Sequence, residues 1–77
     1  MLEVFANALS NKDYYVCLYG EYLYIHNYEE ITSFNNDLII VKLPNKSLKI
    51  KGHEMLIKKM HERELLVEGD IKLVSYE

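Results

Sequence analysis

Leu48-Lys49-Ile50-Lys51-Gly52, followed by Met55-Leu56-Ile57, is echoed by Leu65-Leu66-Val67-Glu68-Gly69, followed by Lys72-Leu73-Val74, at an offset of 65 − 48 = 17 positions. β-Branched and aliphatic residues dominate both units, as suits a half-buried pleated surface. Glycine supplies the positive φ that a tight reversal needs, so each unit reads strand, turn, strand, with Gly52 and Gly69 at the reversals. An antiparallel sheet follows from this reading, but no activity does. A degraded third copy places Ile31, Asn35, Ile39 and Ile40 at the positions of Leu48, Gly52, Leu56 and Ile57. A β-solenoid needs several stacked rungs with capped ends, and three imperfect copies behind a non-repetitive front leave too little to stack. A sandwich is preferred.

Working outward from the echo, the strand pattern runs back to Tyr14. Tyr14 to Tyr19 is β-branched and aromatic, Gly20-Glu21 forms a turn, and Tyr22 to His26 resumes with Leu23 and Ile25 on one face. Asn27 marks a bend, Ile31 to Phe34 is a short strand, and Asn35-Asn36-Asp37 is a polar turn. Leu38 to Leu43 is apolar on both faces, as in a central strand. Pro44 pre-sets φ, so Leu43-Pro44-Asn45-Lys46 reads as a type I turn into Ser47 to Lys51. The remaining strands are Met55 to Lys59, Glu64 to Glu68 and Ile71 to Tyr76. The expectation is an all-β domain over residues 14–77, a small antiparallel β-sandwich of 7–8 short strands. Residues 1–13 form a separate N-terminal segment. Leu2, Phe5 and Leu9 recur there at helical spacing, as in a short helix covering an open end of the core or docking on a partner.

Composition sets further bounds. A chain of 77 residues makes one small domain that buries roughly 60 to 65% of its unfolded surface, so self-association would help its stability. Hydrophobic content of 49% with 27% charged residues is that of a globular protein. No apolar run approaches the ~20 residues of a spanning helix, and Met1-Leu2-Glu3-Val4 has an acid where a secretory leader is basic. One cysteine, Cys17, makes no internal disulfide, which fits a cytoplasmic setting.

Reaction chemistry finds little support. A nucleophile needs a base within reach, and Cys17 or Ser10, Ser33, Ser47 and Ser75 with His26, His53 or His61 form no recognisable arrangement. His53 and His61 lack paired ligand spacing, and Gly20, Gly52 and Gly69 are too far apart for a phosphate loop. No cofactor and no metal are expected.

Two features point instead to surfaces. Six of seven tyrosines, Tyr14, Tyr15, Tyr19, Tyr22, Tyr24 and Tyr28, lie within fifteen residues. Tyrosine joins a large apolar area to a hydroxyl that tolerates water, which suits a face exposed in the monomer and buried in a complex. Charge is also segregated: residues 1–37 carry one lysine against six acids, 42–63 seven basic residues against two acids, and 64–77 one lysine against four acids. Lys49 and Lys51 share a strand face, with Lys42, Lys46, Lys58, Lys59 and Arg63 in neighbouring elements. The candidate interface is therefore Tyr19, Tyr22, Tyr24, Tyr28, Lys49, Lys51 and Lys58, with Gly20, Pro44, Gly52 and Gly69 as structural turns. Such a patch fits head-to-tail contact with the acidic part of a second copy, giving a homo-oligomer, or a peripheral contact with an anionic membrane. A small β domain that binds nucleic acid or another anionic polymer is the alternative, but a pI near 5.6 argues against a dominant phosphate-binding surface.

From Leu18 onward the chain resembles the YabP/YqfC family of sporulation proteins, nearer the YqfC branch. Gly20, Leu23-Tyr24-Ile25-His26-Asn27-Tyr28, Ile31, Phe34, Leu48 to Gly52, Leu56 to Met60, Leu66 to Ile71 and Tyr76 carry the likeness. Glu30 and Asn45 depart from it, standing where glycine is commoner. The resemblance implies a β-sandwich-like, non-enzymatic structural or interaction module of the mother cell or forespore surface. It further implies a role in spore coat or envelope assembly, with itself or with spore-envelope proteins, and no catalytic residues to carry over.

Overall fold

The computed structural model describes residues 14–77, so the helix expected over residues 1–13 lies outside the described part. Six strands run β1 Tyr15–Tyr19, β2 Tyr22–His26, β3 Glu30–Phe34, β4 Leu38–Leu43, β5 Lys46–His61 and β6 Glu64–Tyr76. They form one antiparallel sheet in the order β1-β2-β6-β5-β4-β3, with no helix among the described residues. The all-β expectation holds. The count of 7–8 short strands does not, because the strands expected on either side of Gly52 are one strand, β5, and those on either side of Gly69 are one strand, β6.

The physical reason is that neither glycine reverses the chain. Pairing continues past both, with Lys51 opposite Leu73, Gly52 opposite Ile71 and Leu56 opposite Glu68. Glycine is needed here for close approach. A Cβ on Gly52 would lie 2.3 Å from the Asp70 carbonyl oxygen, and one on Gly69 would lie 2.7 Å from Met55 Cα. Gly69 also has φ +155°. Between His53 and Leu56 the register shifts, so Glu54 (φ 51°) and Met55 face Gly69 alone. That extra residue is a β-bulge, which bends a strand and increases its twist. A straight strand of the length of β5 would span roughly 50 Å at ~3.3 Å per residue, whereas the longest dimension of the molecule is 30 Å. The two glycines are the corner of a folded sheet.

Two hairpin turns brace this corner by accepting its backbone N–H groups. Asn36 O takes the N–H of Met55 at 2.9 Å, Asp37 O that of Gly52 at 3.1 Å, and Glu21 O that of Gly69 at 2.9 Å. Donors freed by the bulge are thereby satisfied, which a buried backbone requires.

Folding at the corner divides the sheet into two halves. One comprises β1, β2, residues 64–68 of β6 and residues 56–61 of β5; the other comprises β3, β4, residues 46–51 of β5 and residues 71–76 of β6. Their inward residues meet in one core, with Leu23, Ile25, Leu65 and Val67 from the first half and Ile39, Val41, Leu43, Leu48 and Ile50 from the second. The 17-residue echo now has a structural meaning. Its first arm, with Leu48 and Ile50, lines the second half, and its second arm, with Leu65 and Val67, lines the first. Each copy contributes one side of the core. Antiparallel pairing throughout excludes the solenoid.

The true reversals are short. Gly20 has φ 59° at the first central position of the β1–β2 turn, the sign a type II′ hairpin requires. At Pro44-Asn45 the type I expectation is corrected, because Asn45 has φ 73°, the sign of a type II turn at its second central residue. Asparagine tolerates that region better than most residues. Asn35, at the glycine position of the third echo copy, makes a genuine turn, its side chain accepting from the N–H groups of Asp37 and Leu38 at 2.8 Å each.

Candidate interaction surface

Side chains alternate across a sheet, so the neighbours of the core residues point outward. Register on the first half aligns them in three cross-strand rows: Tyr15–His26–Glu64–His61, Cys17–Tyr24–Leu66–Lys59 and Tyr19–Tyr22–Glu68–Leu56. The Tyr15 ring stacks on His26 at 4.9 Å and meets Tyr24 at 5.8 Å. Burial, together with hydrogen bonds to Tyr15 and Glu64, pushes the Tyr24 hydroxyl up to about 12. Beside it, Lys59, His61, Glu64 and Leu66 line a shallow pocket of about 200 Å³. The result is an aromatic plate with a charged margin. Tyr19 is 71% exposed at one border and Leu56 47% at the other.

Of the expected interface tyrosines, Tyr19, Tyr22 and Tyr24 are brought together on this face. Tyr28 is not, since it packs against the core, and Tyr14 is buried. Tyr14 makes an edge-to-face contact with Tyr76, and Lys46 Nζ lies 4.5 Å above the Tyr76 ring. Hydrogen bonding to Tyr14 raises the Tyr76 pKa, burial adds to the rise, and Lys46 opposes it.

The expected lysines are divided by the fold. Lys49 and Lys51 lie on the outer face of the second half, in rows with Ile40 and Ser75 and with Leu38 and Leu73. Lys58 falls beyond the corner on the first half, where a second register shift lies between Ile57 and Lys59. Several of these charges are paired within the chain: Lys49 with Glu77 at 3.5 Å, Lys58 with Glu68 at 3.6 Å and Lys42 with Glu29 at 3.7 Å. The basic stretch of the sequence is thus not one patch. Exposed pairs of this kind contribute little, about 0–1 kcal/mol each.

Cys17 is buried, whereas His53 and His61 are exposed, and no cluster of His, Cys, Asp and Glu suited to a metal occurs among the described residues. Glu21, His53, Glu54, Glu68 and Asp70 line an open depression of about 470 Å³ over the corner. Two of its acids are paired, Glu68 with Lys58 and Asp70 with Lys72. Sequence reasoning missed this acidic margin and the cross-strand rows, because both depend on register across the corner.

Comparison with known proteins gives one positive result. The model of the YabP family matches residues 13–77, without distinguishing the YqfC branch. No curated protein and no solved structure matches the chain.

Proposed function

The chain belongs to the YabP family, and from that membership, which points to a sporulation-related role, we propose that it is a non-enzymatic interaction module. It works by association with itself or with spore-envelope proteins during coat or envelope assembly in the mother cell or at the forespore surface. The observation that carries this reading is the exposed apolar and aromatic surface on a domain this small. Leu18, Tyr19, Phe34, Leu56, Met60, Leu73 and Tyr76 are each at least 45% exposed. An exposed leucine is ordinary by itself, but the tyrosine rows form a contiguous plate, and such plates mark contact surfaces. Tyrosine contributes contact area there at a low entropic cost.

Charge has a secondary part in this reading, because several lysines are already paired with acids of the same chain. Sedimentation velocity of the full chain over a range of concentrations, at about 0.05 and 0.5 M salt, tests it. Concentration-dependent association that survives the higher salt supports a contact made mainly by apolar and aromatic groups. A protein that stays monomeric, yet binds a single-stranded oligonucleotide with a steep salt dependence, would instead make it a nucleic-acid-binding domain.

A further inference from the structure

A sheet edge presents unpaired N–H and C=O groups, and proteins guard such edges with charges, bulges or short irregular strands. Among the described residues the folded sheet has four edges, and three of them are guarded. β3 begins at Glu30 and carries a register shift between Ile31 and Ser33. The open side of β5, residues 56–61, has the shift between Ile57 and Lys59 together with Lys58 and Lys59. The open side of β6, residues 71–76, carries Lys72, paired with Asp70 at 3.2 Å. β1 differs from all three. Its five residues, Tyr15-Val16-Cys17-Leu18-Tyr19, include no charge and no proline, and its pairing with β2 runs without a shift.

Among the described residues this edge also leaves the core unsealed. Leu18 stands opposite the fully buried Leu23, on the core face, yet is 57% exposed. Val16, opposite Ile25, packs on the core and is only half-buried. Inward apolar side chains at an edge lose more of their water when another strand continues the sheet past them.

We propose that β1 is a self-pairing edge whose occupant is β1 of a second copy, joined antiparallel about a two-fold axis at Cys17. The self-complementarity of the strand argues for that occupant. Pairing about Cys17 sets Tyr15 opposite Tyr19 of the second copy on the outer face and Val16 opposite its Leu18 on the core face. Aromatic meets aromatic, aliphatic meets aliphatic, and no charge is left facing an apolar residue. The two first halves become one continuous sheet, and the tyrosine plate doubles in area across the seam.

This inference rests on the self-association proposed above, and the test separates the two. Leu18→Lys and Tyr19→Lys are each compared with the unaltered full chain by sedimentation equilibrium, with circular dichroism as the control for folding. Tyr19 is 71% exposed, so its variant keeps the fold even where Leu18→Lys does not. The expected result is a dimer whose dissociation constant rises at least tenfold in each folded variant. Association of the variants as tight as that of the parent would overturn the β1 pairing and leave the assembly reading intact. A parent chain that stays monomeric at all concentrations would overturn both, and would mean that the edge is covered from within the chain.

Discussion

Asn27 and Arg63, 36 positions apart, hold each other by two hydrogen bonds: Arg63 Nη1 donates to Asn27 Oδ1 at 2.6 Å, and the Asn27 N–H donates to the Arg63 carbonyl oxygen. Both have a positive φ, 68° and 69°. Neither is glycine, so each pays backbone strain that the reciprocal contact offsets. The clamp fixes the exit of β2 against the β5–β6 turn, and with it the register of the first outer row. Arg63→Ala should cost about 1–2 kcal/mol, whereas Arg63→Gly should cost less, because glycine removes the strain together with the bond. Chemical denaturation of both variants checks this, and equal costs would mean that the strain is negligible.

The corner predicts a contrast among glycines. Gly52→Ala drives a methyl into the Asp70 carbonyl, while Gly20→Ala meets nothing within 4 Å and suffers only its φ of +59°. The first should lose about 3 kcal/mol and the second about 1 kcal/mol. Urea unfolding of the two variants gives the comparison, and equal losses would return Gly52 to the status of an ordinary turn.

Tyr24 gives a pH prediction. Its pKa is raised from 10.0 to about 12 in the fold, so the neutral hydroxyl is the form the folded state favours. As pH rises above about 10 the unfolded chain gives up a proton that the folded chain keeps, so this contribution to stability is lost between about pH 10 and 12. Melting temperature should fall over that window more steeply in the parent than in Tyr24→Phe. Parallel alkaline profiles would show that Tyr24 titrates like an exposed tyrosine.

Lys49 and Lys51 test the secondary part given to charge. Replacing both with Glu breaks the Lys49–Glu77 pair, an exposed contact at 3.5 Å. The fold should survive, and self-association should weaken by less than about threefold, in keeping with the low worth of surface pairs. Loss of assembly in this double variant would restore the electrostatic head-to-tail contact that the sequence alone suggests.

Much of the sheet is legible in the sequence. Tyr22 to His26 and Leu38 to Leu43 announce themselves by apolar spacing, and their bounds match β2 and β4. Gly52 and Gly69 mislead because glycine has two uses, positive φ in a turn and a missing Cβ where backbones approach, and local sequence does not tell them apart. The choice between them rests on what lies across the strand, here Asp70 and Met55. The tyrosine face was legible in part. Tyr19, Tyr22 and Tyr24 share it, but Tyr28 turns inward after the Asn27 bend, which reverses the alternation. Spread of the lysines over both halves was hidden for the same reason as the corner, since the bulge at Glu54 and Met55 changes which side Leu56 and Ile57 face, and the second shift, between Ile57 and Lys59, changes it back.

Amide hydrogen exchange of the full chain at low and high protein concentration tests the central claim, that this domain works through surfaces it shares with other chains. Protection that rises with concentration at Val16 and Leu18, whose N–H groups face away from β2, with the β4 and β5 core amides protected at both concentrations, is the predicted result. Exchange that is the same at every residue and concentration, with the Val16 and Leu18 amides open throughout, would contradict it.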